Sequence, residues 1–174
     1  MNIDLDGYLL KGGVIAFPTD TVWGLGALPR FSNALFEIKQ RPKDKHLIIM
    51  SNSLENLGPW MKDFPAKAFE LAKKYWPGPL TIIGNDDPTF GAARVPNHEI
   101  FRNLCEAIDG HCLATTSANL SGMPPLNDAE AIRKTFPNIM VIDGDAPKKA
   151  KPSTIVKVTQ NGIEILRRGS CILT

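Results

Sequence analysis

Residues 14–29 read VIAFPTDTVWGLGALP, an apolar run that ends at a proline and continues as a polar, glycine-containing segment. The apolar run predicts a short buried β-strand over residues 14–17. Because Pro18 lacks a backbone N–H, we expect the strand to end there and residues 18–29 to form a loop. In open α/β sheets, a loop that leaves a buried strand often carries the ligand.

Outward from this segment, helical and strand patterns alternate along most of the chain. Helices are expected at residues 32–39, 68–75, 101–108 and 129–136, and further strands at 47–50, 80–83, 92–95, 113–116, 139–142, 155–158 and 163–166. The alternation predicts an α/β fold in which helices flank a twisted open sheet. The closely spaced last two strands favour antiparallel pairing, and hence a mixed sheet. We expect one domain over residues 1–174.

The composition is that of a globular domain. The 174 residues are 43% hydrophobic and 22% charged, and 20 Lys and Arg against 18 Asp and Glu leave a net charge of +2. Such a near-neutral balance argues against a dedicated nucleic-acid-coating protein. Three cysteines without close spacing predict free thiols in a reducing compartment. No apolar stretch approaches the length of a membrane span, so we expect a cytoplasmic protein without a membrane partner.

Common nucleotide and metal motifs are missing from the sequence. There is no G-x-x-x-x-G-K-[ST] run, and Gly24-Leu25-Gly26 lacks the third glycine of a dinucleotide fingerprint. The histidines His46, His98 and His111 are scattered without metal-ligand spacing. We therefore predict no protein-held metal ion.

Polar side chains follow two of the predicted strands and are candidates for ligand binding. They are Thr19, Asp20 and Thr21 after the first strand, and Ser117 and Asn119 after the strand at 113–116. Hydroxyls and amides at strand ends can hold a small polar ligand by directional hydrogen bonds. The alternative is ordinary turn chemistry, since these residue types also favour turns.

Four cations are candidates for binding anions. Lys39 and Arg41 end the first predicted helix, where they could either bind phosphates or complement the negative end of that helix. Arg94 lies among apolar residues on a predicted strand, and Arg167 follows an apolar residue near residue 169. Either arginine could be partly buried. A buried arginine needs an anionic partner, which is either a ligand or an internal carboxylate.

Seven motifs occur in an order that resembles one known family. They are PTDTVWGLG, KQRP, YWPGPLT, ARVPNH, TTSANLSG, PSTIV and LRRG. Between about residues 12 and 169 the chain is similar to the YrdC/Sua5 family of L-threonylcarbamoyladenylate synthases, in its short, single-domain form.

The resemblance implies a YrdC-like fold with a concave basic cavity. It also implies that L-threonine, bicarbonate and ATP, with Mg²⁺ on the nucleotide, give threonylcarbamoyl-AMP and pyrophosphate. Separate transferase proteins would then pass the threonylcarbamoyl group to N6 of adenosine 37 in ANN-decoding tRNAs.

The family's functional residues fall on eight positions of this chain. Those implied to act on ATP and the adenylate are Lys39, Arg41, Ser117 and Asn119, with Arg167 also at the nucleotide. Those implied to bind L-threonine are Thr19, Arg94 and Ser153, with Arg94 on the substrate carboxylate.

Two alternatives to the synthase stay open at this point. One is a YrdC-fold paralogue with a different nucleotide-dependent carbamoyl chemistry. The other is an RNA-binding module that serves ribosome or tRNA maturation, although aromatic residues are few and form no RNA-binding motif. Weak, salt-sensitive contact with tRNA is compatible with the synthase as well.

Overall fold

The computed structural model describes residues 4–40, 42, 45–87, 89–149 and 151–174. Their strands form one nine-stranded sheet in the order β7-β1-β2-β6-β3-β5-β4-β8-β9. The strands are β1 Ile15–Phe17, β2 Gly24–Ala27, β3 Ile48–Ser51, β4 Leu80–Ile83, β5 Ala92–Arg94, β6 Cys112–Ser117, β7 Met140–Val141, β8 Thr154–Thr159 and β9 Gly162–Arg167. Three neighbouring pairs are parallel, β1/β7, β3/β5 and β4/β8, and the others are antiparallel. The predicted mixed sheet is confirmed, including the antiparallel last pair.

Six α-helices flank the sheet in the described ranges. They are α1 Leu5–Leu10, α2 Asn33–Lys39, α3 Leu54–Leu57, α4 Ala66–Tyr75, α5 Glu99–Glu106 and α6 Ala129–Thr135. The four predicted helices correspond to α2, α4, α5 and α6, whereas the short α1 and α3 were not anticipated. A helix of four to six residues shows too little of the helical period to be recognised from sequence. None of the helices in these ranges is long and apolar enough to cross a bilayer.

The two faces of the sheet are covered differently. Along β3, β4 and β5, side chains such as Ile49, Ile82 and Ala93 point into the larger core, which also contains apolar residues of α2, α4 and α6. On the opposite face, residues of α1 and α5 pack over β1 and β6 to form a smaller core that includes Phe17 and Phe101. Side chains alternate between the two faces along a strand. The residues next to Ile82 and Ala93, such as Thr81 and Arg94, therefore point to the opposite face, where they line a cavity beside the smaller core.

The loop expected over residues 18–29 is only partly a loop, because β2 lies within it. β2 pairs antiparallel with β1, and Gly24 and Gly26 lie opposite Phe17 and Ile15. A Cβ atom on Gly24 or on Gly26 would come within 2.8 Å of the Phe17 ring. Because glycine is rare in strands, β2 was not predicted from the sequence. In the structure, these glycines leave space for the Phe17 ring against the backbone of β2.

Candidate active site

A cavity of about 170 Å³ lies on the open face of the sheet. Its wall includes side chains from alternate positions of neighbouring strands: Ile48 and Met50 of β3, Thr81 and Ile83 of β4, and Ala92 and Arg94 of β5. Thr19, Ser117, Ser153 and Arg167 also line it, so five of the predicted site residues face one space. Two arginines and no carboxylate are among the described lining residues.

Arg94 is buried, with 2% of its surface exposed, and its guanidinium is held from three directions. Nε donates to the backbone oxygen of Gly78 at 3.1 Å, Nη1 donates to Oγ1 of Thr21 at 2.9 Å, and Nη2 donates to Oδ1 of Asp20 at 2.5 Å. The internal carboxylate that the sequence left unidentified is therefore Asp20. Three of the five N–H bonds are used in these described contacts, which leaves two for a ligand.

In the loop after β1, a directional chain of hydrogen bonds starts at Arg94, runs through the hydroxyls of Thr21 and Thr19, and ends on the backbone oxygen of Val22. Oγ1 of Thr19 donates its single proton to the backbone oxygen of Val22 at 2.7 Å and accepts the N–H of Thr21 at 3.0 Å. The Thr19 and Thr21 hydroxyls lie 3.1 Å apart, so Thr21 is the donor between them. These bonds use one donor and two acceptor positions of Thr19, the full capacity of a hydroxyl group. In this arrangement Thr19 supports Thr21, and Thr21 in turn supports Arg94.

On the other side of the cavity, Ser153 connects two further side chains. Its hydroxyl lies 2.8 Å from Oγ1 of Thr81, and Arg167 donates to it from Nη2 at 3.2 Å and to its backbone oxygen from Nε at 3.0 Å. Ser153 and Thr81 are buried, whereas Arg167 is exposed at the end of the edge strand β9. Arg167 can therefore contact a ligand that extends from the cavity into solvent.

Burial lowers the pKa of both arginines in the cavity. Burial lowers the pKa of Arg94 below its ordinary value; Asp20 opposes this shift, and the positive charge of Arg167 adds to it. Desolvation of the Arg167 guanidinium lowers the pKa of that residue too. Both shifts have the same meaning: an anion that entered the cavity would relieve the cost of holding these charges there.

Two of the remaining predicted residues, Lys39 and Asn119, form a polar cluster with Ser117 and do not line the cavity themselves. The fully buried ammonium of Lys39 donates to the backbone oxygen of Ser117 and, at 2.9 Å, to Oδ1 of Asn119. Ser117 donates to the same Oδ1 at 2.6 Å. Of the three, Ser117 lines the cavity. Lys39 is therefore the last residue of α2, but its side chain is buried and bonds to the end of β6 and to the loop that follows.

The approach of Lys39 depends on how α2 ends. Gln40 adopts a left-handed conformation, with φ 51° and ψ 43°, and caps the helix directly after Lys39. The backbone oxygen of Lys39 accepts the N–H of Ser121, which joins the end of α2 to the loop after β6. Arg41, the predicted phosphate ligand two positions further on, lies outside the described residues.

Two residues that line the cavity, Thr81 and His46, were not singled out as ligands from the sequence. Asp20 was a candidate for ligand binding, but in the structure it holds Arg94. Thr81 had a signal, because it is the polar residue of an otherwise apolar strand, LTII. The sequence around His46 gives no signal that distinguishes it from a surface histidine. The search for polar residues that follow predicted strands found Thr19 and Ser117. It did not find Thr81, because the cavity also extends along the face of the sheet.

Comparison with known proteins agrees with these features. The family model named Sua5/YciO/YrdC, whose description reads "telomere recombination", matches residues 7–169. The threonylcarbamoyl-AMP synthase of Pyrococcus abyssi is 37% identical over 180 aligned residues, which cover 94% of this chain and 52% of that protein. The threonylcarbamoyl-AMP synthase of Chromohalobacter salexigens is 36% identical, with 92% of each chain covered. The chain thus spans about half of the first relative and most of the second.

A solved structure shows the same fold. The crystal structure of P. abyssi Sua5 complexed with L-threonine superimposes with a TM-score of 0.83 at 36% sequence identity, over 94% of this chain and 52% of that one. The twisted mixed sheet with flanking helices is therefore confirmed as the predicted YrdC-like fold. By the match along residues 7–169 and by these relatives, the chain belongs to the Sua5/YciO/YrdC family.

Proposed function

We propose that this protein is an L-threonylcarbamoyladenylate synthase, which forms threonylcarbamoyl-AMP and pyrophosphate from L-threonine, bicarbonate and ATP. The observation that carries the proposal is the convergence of Arg94, Ser153 and Arg167 on one cavity. Relatives named threonylcarbamoyl-AMP synthase support it, as does the structural neighbour bound to L-threonine. The enzyme would be a nucleotidyltransferase, because it transfers the adenylyl group of ATP.

The cavity suits the amino acid better than the whole nucleotide. Its volume of about 170 Å³ is below the roughly 300–1,000 Å³ of pockets that enclose drug-sized ligands. In the proposed complex, the two remaining N–H bonds of Arg94 bind the threonine carboxylate, and the Ser153 hydroxyl contacts its amine or side chain. Thr19 takes part indirectly, because its hydroxyl is already saturated by the loop that supports Arg94.

The nucleotide would extend from the cavity past Ser117 and Arg167. Arg167 is exposed at this end and can pair with the adenylate phosphate, and Ser117 lines the same cavity. Lys39 and Asn119 hold Ser117 and the following loop, which would face the phosphates together with Arg41. No group of three potential metal ligands occurs among the described residues, so we propose that Mg²⁺ is held by the phosphates of ATP.

In the proposed reaction, the uncharged amine of L-threonine captures carbon dioxide derived from bicarbonate and loses a proton, giving N-carboxythreonine. The new carboxylate attacks the α-phosphorus of ATP, and the bond to the β-phosphate oxygen breaks to release pyrophosphate. No protein nucleophile is needed. The side chains contribute by aligning the two substrates and by stabilising negative charge on the phosphates.

The product would serve tRNA modification. Threonylcarbamoyl-AMP is an activated donor, so separate transferase proteins would pass its threonylcarbamoyl group to adenosine 37 of ANN-decoding tRNAs. Such a role fits the cytoplasmic location expected from the sequence. It also requires no more than weak contact between this chain and tRNA.

The proposal is tested by measuring pyrophosphate release from the purified protein with ATP and Mg²⁺, while L-threonine and bicarbonate are omitted one at a time. We expect release only when all three substrates are present, together with an adenylate of the mass of threonylcarbamoyl-AMP. ATP binding without any threonine-dependent product would instead indicate a paralogue with another chemistry. Tight, salt-resistant RNA binding without turnover would favour the RNA-binding alternative.

A further inference from the structure

We propose that Asp20 is a positioning residue that orients the guanidinium of Arg94 for binding the carboxylate of the amino-acid substrate. The inference rests on the proposed function for the identity of that substrate. It goes beyond it by assigning a role to a carboxylate that does not line the cavity.

The contacts of Arg94 show why Asp20 controls its orientation. Gly78 and Thr21 offer neutral acceptors to Nε and Nη1, whereas Asp20 offers a charged acceptor to Nη2 at 2.5 Å. All three bonds have the charged guanidinium as donor, but only the contact with Asp20 joins opposite charges, which adds ionic attraction to the hydrogen bond. The contact with Asp20 therefore dominates the three and determines which N–H bonds remain directed elsewhere.

Burial strengthens this contact relative to the other ion pairs of the described chain. The side chain of Arg94 is 3% exposed and that of Asp20 is 15% exposed. In the pairs Lys67–Glu70, Arg133–Asp143 and Lys157–Asp86, every side chain is at least 34% exposed. Screening by water weakens those three pairs, whereas Arg94 and Asp20 interact in a poorly solvated setting.

The position of Asp20 in the chain adds a second constraint. Its neighbours Thr19 and Thr21 belong to the hydrogen-bonded loop after β1, and Thr21 also accepts a bond from Arg94. Two consecutive residues of one loop thus contact two nitrogens of one guanidinium. Arg94 itself belongs to β5, so the ion pair joins the loop after β1 to a strand on the other side of β2, β6 and β3 in the sheet. Loss of the carboxylate would release the arginine side chain to turn within the cavity.

The test compares Asp20→Asn and Asp20→Glu with the wild-type chain in steady-state kinetics. Asp20→Asn keeps the shape and removes the charge, whereas Asp20→Glu keeps the charge and moves it by one methylene. We expect each variant to raise KM for L-threonine about tenfold or more and to change KM for ATP by less than about twofold. Asp86→Asn is the matched control, because it removes a carboxylate from an exposed ion pair.

The results separate a positioning role from a merely structural one. A selective rise in KM for L-threonine in either folded variant supports the proposal. Unchanged KM for L-threonine in every variant with a native circular dichroism spectrum overturns it, as does an equal rise for both substrates in those variants. Because Asp20→Glu keeps a charge beside the buried arginine, it provides the test if Asp20→Asn does not fold.

A measurement on Arg94 itself is independent of activity. In ¹⁵N-labelled protein without substrate, we expect the Nε–H of Arg94 to exchange with water at least about tenfold faster in the Asp20 variants than in the wild type. If the wild type makes no adenylate but this difference is present, the proposed function fails and the positioning by Asp20 stands. Equal exchange rates would overturn the positioning, whatever the reaction is.

Discussion

At the scale of single residues, the site depends on how a few charges are held in a poorly solvated environment. Arg94 is buried and lines the cavity, with one carboxylate, one hydroxyl and one carbonyl oxygen as acceptors. Arg167 bonds to the hydroxyl and backbone oxygen of Ser153 and stays exposed. The first arginine is suited to a small ligand inside the cavity, and the second to a larger anion at its edge.

Replacing Arg94 by lysine tests the first of these roles. Lysine keeps the positive charge beside Asp20 but cannot donate in three fixed directions and also bind a carboxylate side by side. We expect Arg94→Lys to fold and to raise KM for L-threonine by about 10- to 100-fold, as for the loss of hydrogen bonds between charged groups. Steady-state kinetics with each substrate varied in turn provide the measurement.

Arg102→Lys is a suitable control for that variant. Arg102 bonds to Asn97 near the surface, and the same substitution there should leave both KM values unchanged. If Arg94→Lys behaved like the control, the threonine carboxylate would have to bind elsewhere.

At the scale of elements, the β1–β2 hairpin determines where the loop that holds Arg94 begins and ends. The aromatic ring of Phe17 covers Gly24 and Gly26 of β2 and packs against Phe101 at a centroid distance of 5.1 Å. This packing fixes β1 against β2, and hence the short connection that carries Asp20 and Thr21. Glycine in β2 is therefore a packing requirement of the hairpin.

Substituting Gly26 by alanine should destabilise the hairpin. The new Cβ would approach Cε1 of Phe17 to 2.8 Å and Cδ1 of Leu113 to 3.3 Å, so a buried aromatic ring must shift. Overpacking of this kind costs about 1–3 kcal/mol. The measurement is the midpoint of urea unfolding, followed by circular dichroism.

Gly58→Ala serves as the reference for that substitution. Apart from its chain neighbours, its Cβ would meet no atom within 4 Å, and its φ of −47° and ψ of −49° are helical. Because Pro59 follows and disfavours helical dihedral angles for a residue with a Cβ, we expect this variant to lose a little stability, but less than Gly26→Ala. Equal midpoints for the two variants would contradict the overpacking expected at Phe17.

At the scale of the whole molecule, one sheet separates a large core from a face that is shared between a smaller core and the cavity. The three cysteines lie in different parts of this arrangement. Burial raises the pKa of Cys105 and of Cys112, which lie in the smaller and the larger core respectively. Partial burial also raises the pKa of Cys171, which follows β9.

Thiol labelling should therefore report on the folded state. The thiolate is the reactive form, so a raised pKa lowers reactivity at a given pH, and reactivity grows as the pH rises toward that pKa. In the native protein at pH 8, we expect Cys171 to react first with an aromatic disulfide reagent, and faster at pH 9. Cys105 and Cys112 should react only after denaturation. Rapid native labelling of Cys105 would contradict the packing of α5 against β1 and β6.

Much of the fold could be predicted from local patterns. Eight of the nine strands and the four longer helices have sequence signals, because apolar residues recur with the period of each element. β2 was missed because glycine does not indicate a strand, and the need for its glycines becomes clear only when the Phe17 ring of β1 packs against them. α1 and α3 were missed because they are too short to show a period.

The site was predictable in its residue types and less so in its contacts. Arg94 was recognised as a buried cation that needs an anion, but its partner Asp20 is 74 residues away in the chain. Thr19 was expected to bind the substrate, whereas its hydroxyl is used within its own loop. Thr81 and His46 gained significance only from the wall of the cavity.

By itself, the sequence determined the class of fold, the order of most elements and the family, since these depend on short-range periodicity and on ordered motifs. Only the tertiary structure decided which residues share the cavity, which carboxylate holds Arg94, and that Lys39 and Asn119 lie behind Ser117. The physical reason is that strand order places residues far apart in the chain side by side. Hydrogen bonds between such residues depend on geometry that no local pattern encodes.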